Sequence, residues 1–91
     1  MSKAQAEITI YITQYCPYCV RAKSLLNSKQ VNYTEIDVGL EPELRVEMTQ
    51  KSNGVTSVPQ IFIGDTHVGG CDDLFAAESA GKLDGILFPG S

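Results

Sequence analysis

The stretch Gln14-Tyr15-Cys16-Pro17-Tyr18-Cys19 (QYCPYC) holds two of the chain's three cysteines, with only Pro17 and Tyr18 between them. A pair so spaced serves as a metal clamp, a structural staple, or a redox couple that opens and closes. Its surroundings decide among these. Upstream, Glu7–Ile12 (EITIYI) is a β-branched and aromatic run with the length of a buried strand. Downstream, apolar or small residues recur between Pro17 and Lys29 at Cys19, Val20, Ala22, Leu25 and Leu26, separated by polar ones, which is amphipathic helix spacing. Pro17 suits the first helical position, where its missing N–H would have no partner in any case. The pair therefore lies where a strand ends and a helix begins, with Cys16 at the N-cap.

The remaining elements follow by the same reading. Val31–Val38 (VNYTEIDV) is rich in β-branched residues and predicts a second strand, although its alternation is imperfect. Pro42 opens a second helix through Lys51 (PELRVEMTQK), with Leu44, Val46 and Met48 among charges and a stop near Asn53-Gly54. Pro59–Gly64 and Thr66–Gly70 read as two short strands joined at Gly64-Asp65, a pair suited to a tight hairpin turn. Helical spacing resumes at Leu74, Phe75, Ala76, Ala77 and Ala80 and stops near Gly81; a short apolar run, Leu83–Phe88, precedes Pro89 and Gly90. Right-handed crossovers and short connections make the first two strands a parallel βαβ unit and the last two an antiparallel hairpin. The expected fold is α/β, a mixed four-stranded sheet flanked by helices. At 91 residues the expectation is a single domain spanning 1–91.

Composition narrows the function. The chain is 43% hydrophobic and 20% charged, which is ordinary for a globular protein, and its net charge of −4 argues against nucleic acid or anionic lipid as partners. The start MSKAQAEITI lacks the basic end and apolar run of a secretory signal, and no apolar segment approaches the roughly 18 residues of a membrane span. A cytoplasmic location is expected. Ordinary thiols stay reduced there, so a close cysteine pair is catalytic or metal-binding more often than a staple. Three cysteines also suit no closed disulfide framework.

A sulfur at a helix N-cap faces unpaired N–H groups and the positive end of the helix dipole, both of which favour a thiolate. Cys19, one turn on and on the same face, can reach Cys16 while being less exposed. This asymmetry makes Cys16 the attacking sulfur and Cys19 the resolving one, with a mixed disulfide between them in time. The competing metal reading joins His67 and Cys71 to Cys16 and Cys19 as a tetrahedral set. Against it, a Cys-x-x-Cys beside a βαβ pattern reads first as a redox motif, His67 falls mid-strand where a hydrogen-bonded or exposed imidazole is expected, and Cys71 reads as a small buried hydrophobe.

Three separated motifs, CPYC at Cys16–Cys19, TSVPQIFIG at Thr56–Gly64 and GGCDDL at Gly69–Leu74, resemble the dithiol glutaredoxins of the thioredoxin superfamily. The element order agrees over essentially the whole chain. The resemblance implies a thioredoxin-like fold and a glutathione-dependent thiol-disulfide oxidoreductase. Such an enzyme reduces protein disulfides with both thiols and glutathione–protein mixed disulfides with one. Glutathione would be a co-substrate, with no permanently bound cofactor and no metal; the partners would be glutathione and disulfide-containing or glutathionylated proteins, and the chain a monomer.

The resemblance also implies site residues. In the middle motif it places Ser57, Val58 and Pro59 at the site, with a cis Val58-Pro59 bond exposing the Val58 N–H and C=O to pair with the cysteinyl residue of glutathione as an added strand. Gly70 and Cys71 would bring the first N–H groups of the third helix to the γ-glutamyl carboxylate, while Asp72 or Asp73 accepts from its amino group. Tyr18 would wall the tripeptide or shield the sulfur. Plainer roles exist for each: a core valine at Val58, a strand-opening Pro59, and helix-capping acids at Asp72 and Asp73. One departure concerns Thr13, which stands where the family's common pattern has a lysine paired with the glycine carboxylate of glutathione. Arg45 or Lys51 is a candidate replacement cation, although the plainer reading of both as solvated charges is the favoured one. The alternative function is an iron-sulfur cluster carrier bridged by Cys16 and glutathione, opposed by the rigid Pro17 beside the sulfur. Electrons from a thioredoxin reductase would use the same thiols, but CPYC and GGCDD favour glutathione.

Overall fold

Strand β1 (Ile8–Ile12) runs through the middle of a four-stranded sheet ordered β2-β1-β3-β4. The computed structural model describes residues 5–89; the first four residues of the MSKAQAEITI start and Gly90 lie outside the described residues. β1 pairs in parallel with β2 (Thr34–Asp37) and antiparallel with β3 (Gln60–Ile63), so that Ile10 stands opposite Glu35 on one side and Ile61 on the other. β3 turns through Gly64-Asp65 into β4 (Thr66–Gly69), with Gly64 at φ +58. Helices α1 (Pro17–Ser28), α2 (Pro42–Lys51), α3 (Cys71–Ser79) and α4 (Leu83–Leu87) complete the order. The expected mixed sheet and thioredoxin-like arrangement are as the sequence indicates.

The alternation of β1 feeds two cores. Ile8 and Ile10 pack with Ala22 and Leu26 of α1, Ile61 and Ile63 of β3, and Leu74 of α3. Tyr11 points the other way, toward Val38 and Met48, with Leu44 and Phe62 packed against them. α2 therefore covers one face of the sheet, and α1 and α3 the other. Full burial of side chains such as Ile10 and Leu26 stabilises the fold by about 1.5–3 kcal/mol each.

Four details differ from the sequence reading. β2 begins at Thr34, later than expected; Val31 and Val38 are buried in the two cores from positions outside the strand. Val20 lies outside the apolar stripe of α1, which buries Cys19, Ala22 and Leu26, and Val46 of α2 is likewise exposed. Within the apolar run Leu83–Phe88, Leu83–Leu87 forms the short helix α4, because Leu83 and Leu87, one turn apart, both enter the first core. Lys29 at the end of α1 pairs with Glu78 at 2.8 Å and Asp84 at 2.9 Å, tying three helices at one corner. Among the described residues no helix is long and apolar enough to cross a membrane.

Candidate active site

Between β1 and α1 the chain turns through Tyr15, a non-glycine residue at φ +59 whose ring is 98% exposed. Cys16 follows as the N-cap of α1, with φ −105 and ψ 105, and Pro17 opens the helix. The Cys19 N–H, one of the first-turn donors with no helical acceptor, donates to Sγ of Cys16 at 3.2 Å. Such a bond strengthens with any negative charge on the sulfur.

The two thiols have unlike surroundings. Cys16 is half-buried, whereas Cys19 is only 2% exposed, at the base of the first turn. Burial, and then the hydrogen bond with Cys16, push the Cys19 thiol up to about 12; a backbone hydrogen bond with Thr13 opposes the rise. Lys23, which pairs with Glu35 at 3.0 Å, adds a weaker opposing charge. Cys71 is also buried, and that burial raises its thiol too, against the Arg21 guanidinium.

A cavity of about 300 Å³ opens at Tyr18, between the two cysteines in sequence. Cys16 and Cys19 are not among its lining residues; it is lined by Tyr18, by Ser57, Val58 and Pro59, and by Gly70, Cys71, Asp72 and Asp73. These are eight of the sequence-expected site residues, brought together from three segments. The Val58-Pro59 peptide is cis. Neither the N–H nor the C=O of Val58 is taken by a backbone hydrogen bond among the described residues. Across the cavity, the Cys71, Asp72 and Asp73 amides open α3, and such first-turn N–H groups have no helical acceptor. Asp73 Oδ2 accepts from the Gly70 N–H at 3.0 Å and so caps the helix, while the Asp72 carboxylate makes no hydrogen bond or ion pair among the described residues. One glycine permits this close approach: Gly69 sits at φ +114 with the Asp73 carboxylate where a Cβ would be.

Other expected residues stand elsewhere. Thr13 does not line the cavity; it lies behind the pair, against Cys19. Arg45 forks onto the Thr56 carbonyl through Nε at 3.2 Å and Nη2 at 2.9 Å, and Lys51 donates to the Tyr11 hydroxyl at 3.3 Å. No Lys or Arg is among the lining residues. The metal set of Cys16, Cys19, His67 and Cys71 does not form, since among the described residues no three His, Cys, Asp or Glu side chains are grouped to hold a metal ion. His67 is hydrogen-bonded to Gln60, as a mid-strand histidine is expected to be. Val55, Gln60 and His67 line the cavity although the sequence marked none of them as glutathione-binding, and Gly69, part of the GGCDDL motif, lines it too. The available signal was Gln60 itself, a polar residue opening the apolar run QIFI.

Comparison with known proteins agrees with this geometry. The family model described as Glutaredoxin matches residues 8–68, from β1 into β4. A glutaredoxin of Pseudomonas aeruginosa is 59% identical over 80 residues, which cover 88% of this chain and 94% of that protein. The solution structure of glutaredoxin from Brucella melitensis superposes with a TM-score of 0.84 at 48% identity, covering 100% of this chain and 98% of the other. A crystal structure of a buckwheat glutaredoxin–glutathione complex superposes with a TM-score of 0.82 at 30% identity, covering 90% of this chain and 76% of the other. With its cap sulfur, its buried partner and these relatives, the chain belongs to the glutaredoxin family and is a glutathione-dependent thiol oxidoreductase.

Proposed function

We propose that this chain reduces glutathione–protein mixed disulfides with Cys16 alone and protein disulfides with Cys16 and Cys19 together. The observation that carries the reading is the unlike pair: a half-exposed cap sulfur that accepts a hydrogen bond from the backbone of a buried, protonated partner. In the one-thiol route the Cys16 thiolate attacks the glutathionyl sulfur. The S–S bond to the substrate breaks, the substrate sulfur leaves as a thiolate and takes up a proton, and Cys16 carries the glutathionyl group. A second glutathione thiolate then attacks that sulfur, forming glutathione disulfide and releasing Cys16.

In the two-thiol route Cys16 opens a protein disulfide and remains bonded to one of its sulfurs. Cys19 attacks Cys16, forming the Cys16–Cys19 disulfide and expelling the reduced substrate. With its thiol pushed up to about 12, Cys19 keeps its proton at neutral pH until a departing sulfur nearby accepts it. Two glutathione molecules restore the dithiol.

The glutathionyl group binds in the cavity. Its cysteinyl backbone pairs with the free N–H and C=O of Val58 between Ser57 and Pro59, and Tyr18 flanks the sulfur. Its γ-glutamyl carboxylate meets the amides of Cys71 and Asp72 at the start of α3, and Asp72 accepts from its ammonium. The backbone of Gly70 and the cap at Asp73 keep that helix start in place. Thr13 acts through Cys19 in this reading, and Arg45 and Lys51 supply no charge to the ligand. The chain works as one domain, 1–91, as a monomer in the cytoplasm; no observation favours the cluster-carrier alternative.

Turnover of a glutathionylated peptide and of a protein disulfide by thiol variants tests the two routes. Cys16→Ser is expected to abolish both. Cys19→Ser is expected to keep the first and lose the second. Loss of both activities in Cys19→Ser, in a protein that still melts cooperatively, refutes the one-thiol route.

A further inference from the structure

Gln60 is a polar side chain in an apolar strand, only 2% exposed, and both ends of its amide are engaged. Nε2 donates to the Ser57 carbonyl at 3.1 Å, and Oε1 lies 2.6 Å from Nε2 of His67. Since the amide nitrogen is spent on Ser57, the oxygen faces His67 and the imidazole Nε2–H donates to it. His67 stands opposite Phe62, on the sheet face that Gln60 shares two residues along β3, and the ladder shifts register just beyond that pair. Phe62 stands opposite His67 but Ile61 stands opposite Gly69, which leaves Val68 as an extra residue. A bulge of this kind re-aims side chains beside a functional site. The imidazole is held flat on Phe62, with ring centroids 4.7 Å apart and planes at 20°.

We propose that Gln60 and His67 are positioning residues, a hydrogen-bonded chain that fixes the Ser57 carbonyl and with it the Val58 edge that receives the glutathionyl backbone. The inference rests on the reading of the cavity as the glutathionyl site and adds what holds that site in shape. An edge that binds by backbone pairing must present its N–H and C=O at fixed spacing. Ser57 and Val58 lie in neither a helix nor a strand. For Ser57 the Gln60 amide supplies the hydrogen bond that a ladder would otherwise give.

Steady-state kinetics with a glutathionylated peptide tests this. Gln60→Met keeps the length and removes both bonds; His67→Phe keeps the ring on Phe62 and removes the donor. His67→Phe is expected to raise KM for the peptide about five-fold, the effect of one neutral hydrogen bond, and Gln60→Met, which loses two, by at least as much, with kcat within about two-fold of wild type in both. His67→Gln, which places an amide nitrogen near the position of Nε2, is expected to restore KM. An unaltered KM in His67→Phe, or no restoration by His67→Gln, overturns the proposal; should Gln60→Met fail to fold, the His67 pair decides. If the wild-type chain does not turn over the peptide, the cavity reading fails. In that case the amide resonances of Ser57 and Val58 decide the positioning role, and identical shifts in wild type and His67→Phe overturn it.

Discussion

The sharpest consequence of the site's asymmetry concerns Cys19. A thiol at its ordinary value of 9.0 is ionised at pH 7 to about one part in a hundred; one at about 12 is ionised about a thousand-fold less. The perturbation that isolates it is the double variant Cys16→Ser, Cys71→Ala, in which Cys19 is the sole thiol. Removing Cys16 removes its hydrogen bond and its charge, but burial is the larger cause of the rise and remains. The folded variant is therefore expected to react with iodoacetamide at pH 7 about a hundred-fold or more slowly than the same protein in urea. Rates followed by intact mass from pH 7 to pH 11 separate two origins of protection. Simple obstruction lowers the rate equally at every pH, whereas desolvation moves the titration midpoint above 9.0. Equal rates in buffer and urea, or a folded-state midpoint at or below 9.0, would refute the reasoning and remove the ground for a protonated resolving thiol.

Two further outcomes follow from the same geometry. Gly69→Ala puts a methyl group into the Asp73 carboxylate at φ +114, and is expected to cost about 1–3 kcal/mol and to raise KM for a glutathionylated peptide by loosening the cap of α3; an unaltered urea midpoint would contradict it. Stability is expected to fall at alkaline pH. The folded state keeps the Cys19 proton that the unfolded chain gives up, so this contribution is complete below pH 9 and lost as pH rises from 9 toward 12. The raised Lys23 and Lys51, hydrogen-bonded to Glu35 and Tyr11, act in the same direction. Urea melts of wild type and Cys19→Ser between pH 8 and pH 11 check this, with the shallower decline in the variant.

Much of the fold is local information. β-branched runs at Ile8–Ile12 and Gln60–Ile63, prolines opening α1 and α2, and Gly64-Asp65 at the hairpin each fix a piece through neighbours in sequence. The failures share one cause. Val20 and Val46 are apolar yet face outward, and Leu83–Leu87 is too short to hold a helix until the core receives both leucines. Side-chain type alone does not say which stripe a neighbouring element will cover.

The sequence by itself determined where the two sulfurs stand, because CPYC at a strand-to-helix junction places one sulfur on a helix cap and the other a turn behind it, a matter of helical geometry alone. What only the tertiary structure decided is how the rest of the cavity is held. Gln60 and His67 meet across the β3–β4 ladder, Gly69 makes room for Asp73, and Arg45 and Lys51 turn to Thr56 and Tyr11 and do not line the cavity. Those are contacts between residues distant in the chain, fixed by strand register and by competition among hydrogen-bond partners, and neither quantity is written in a local stretch of residues.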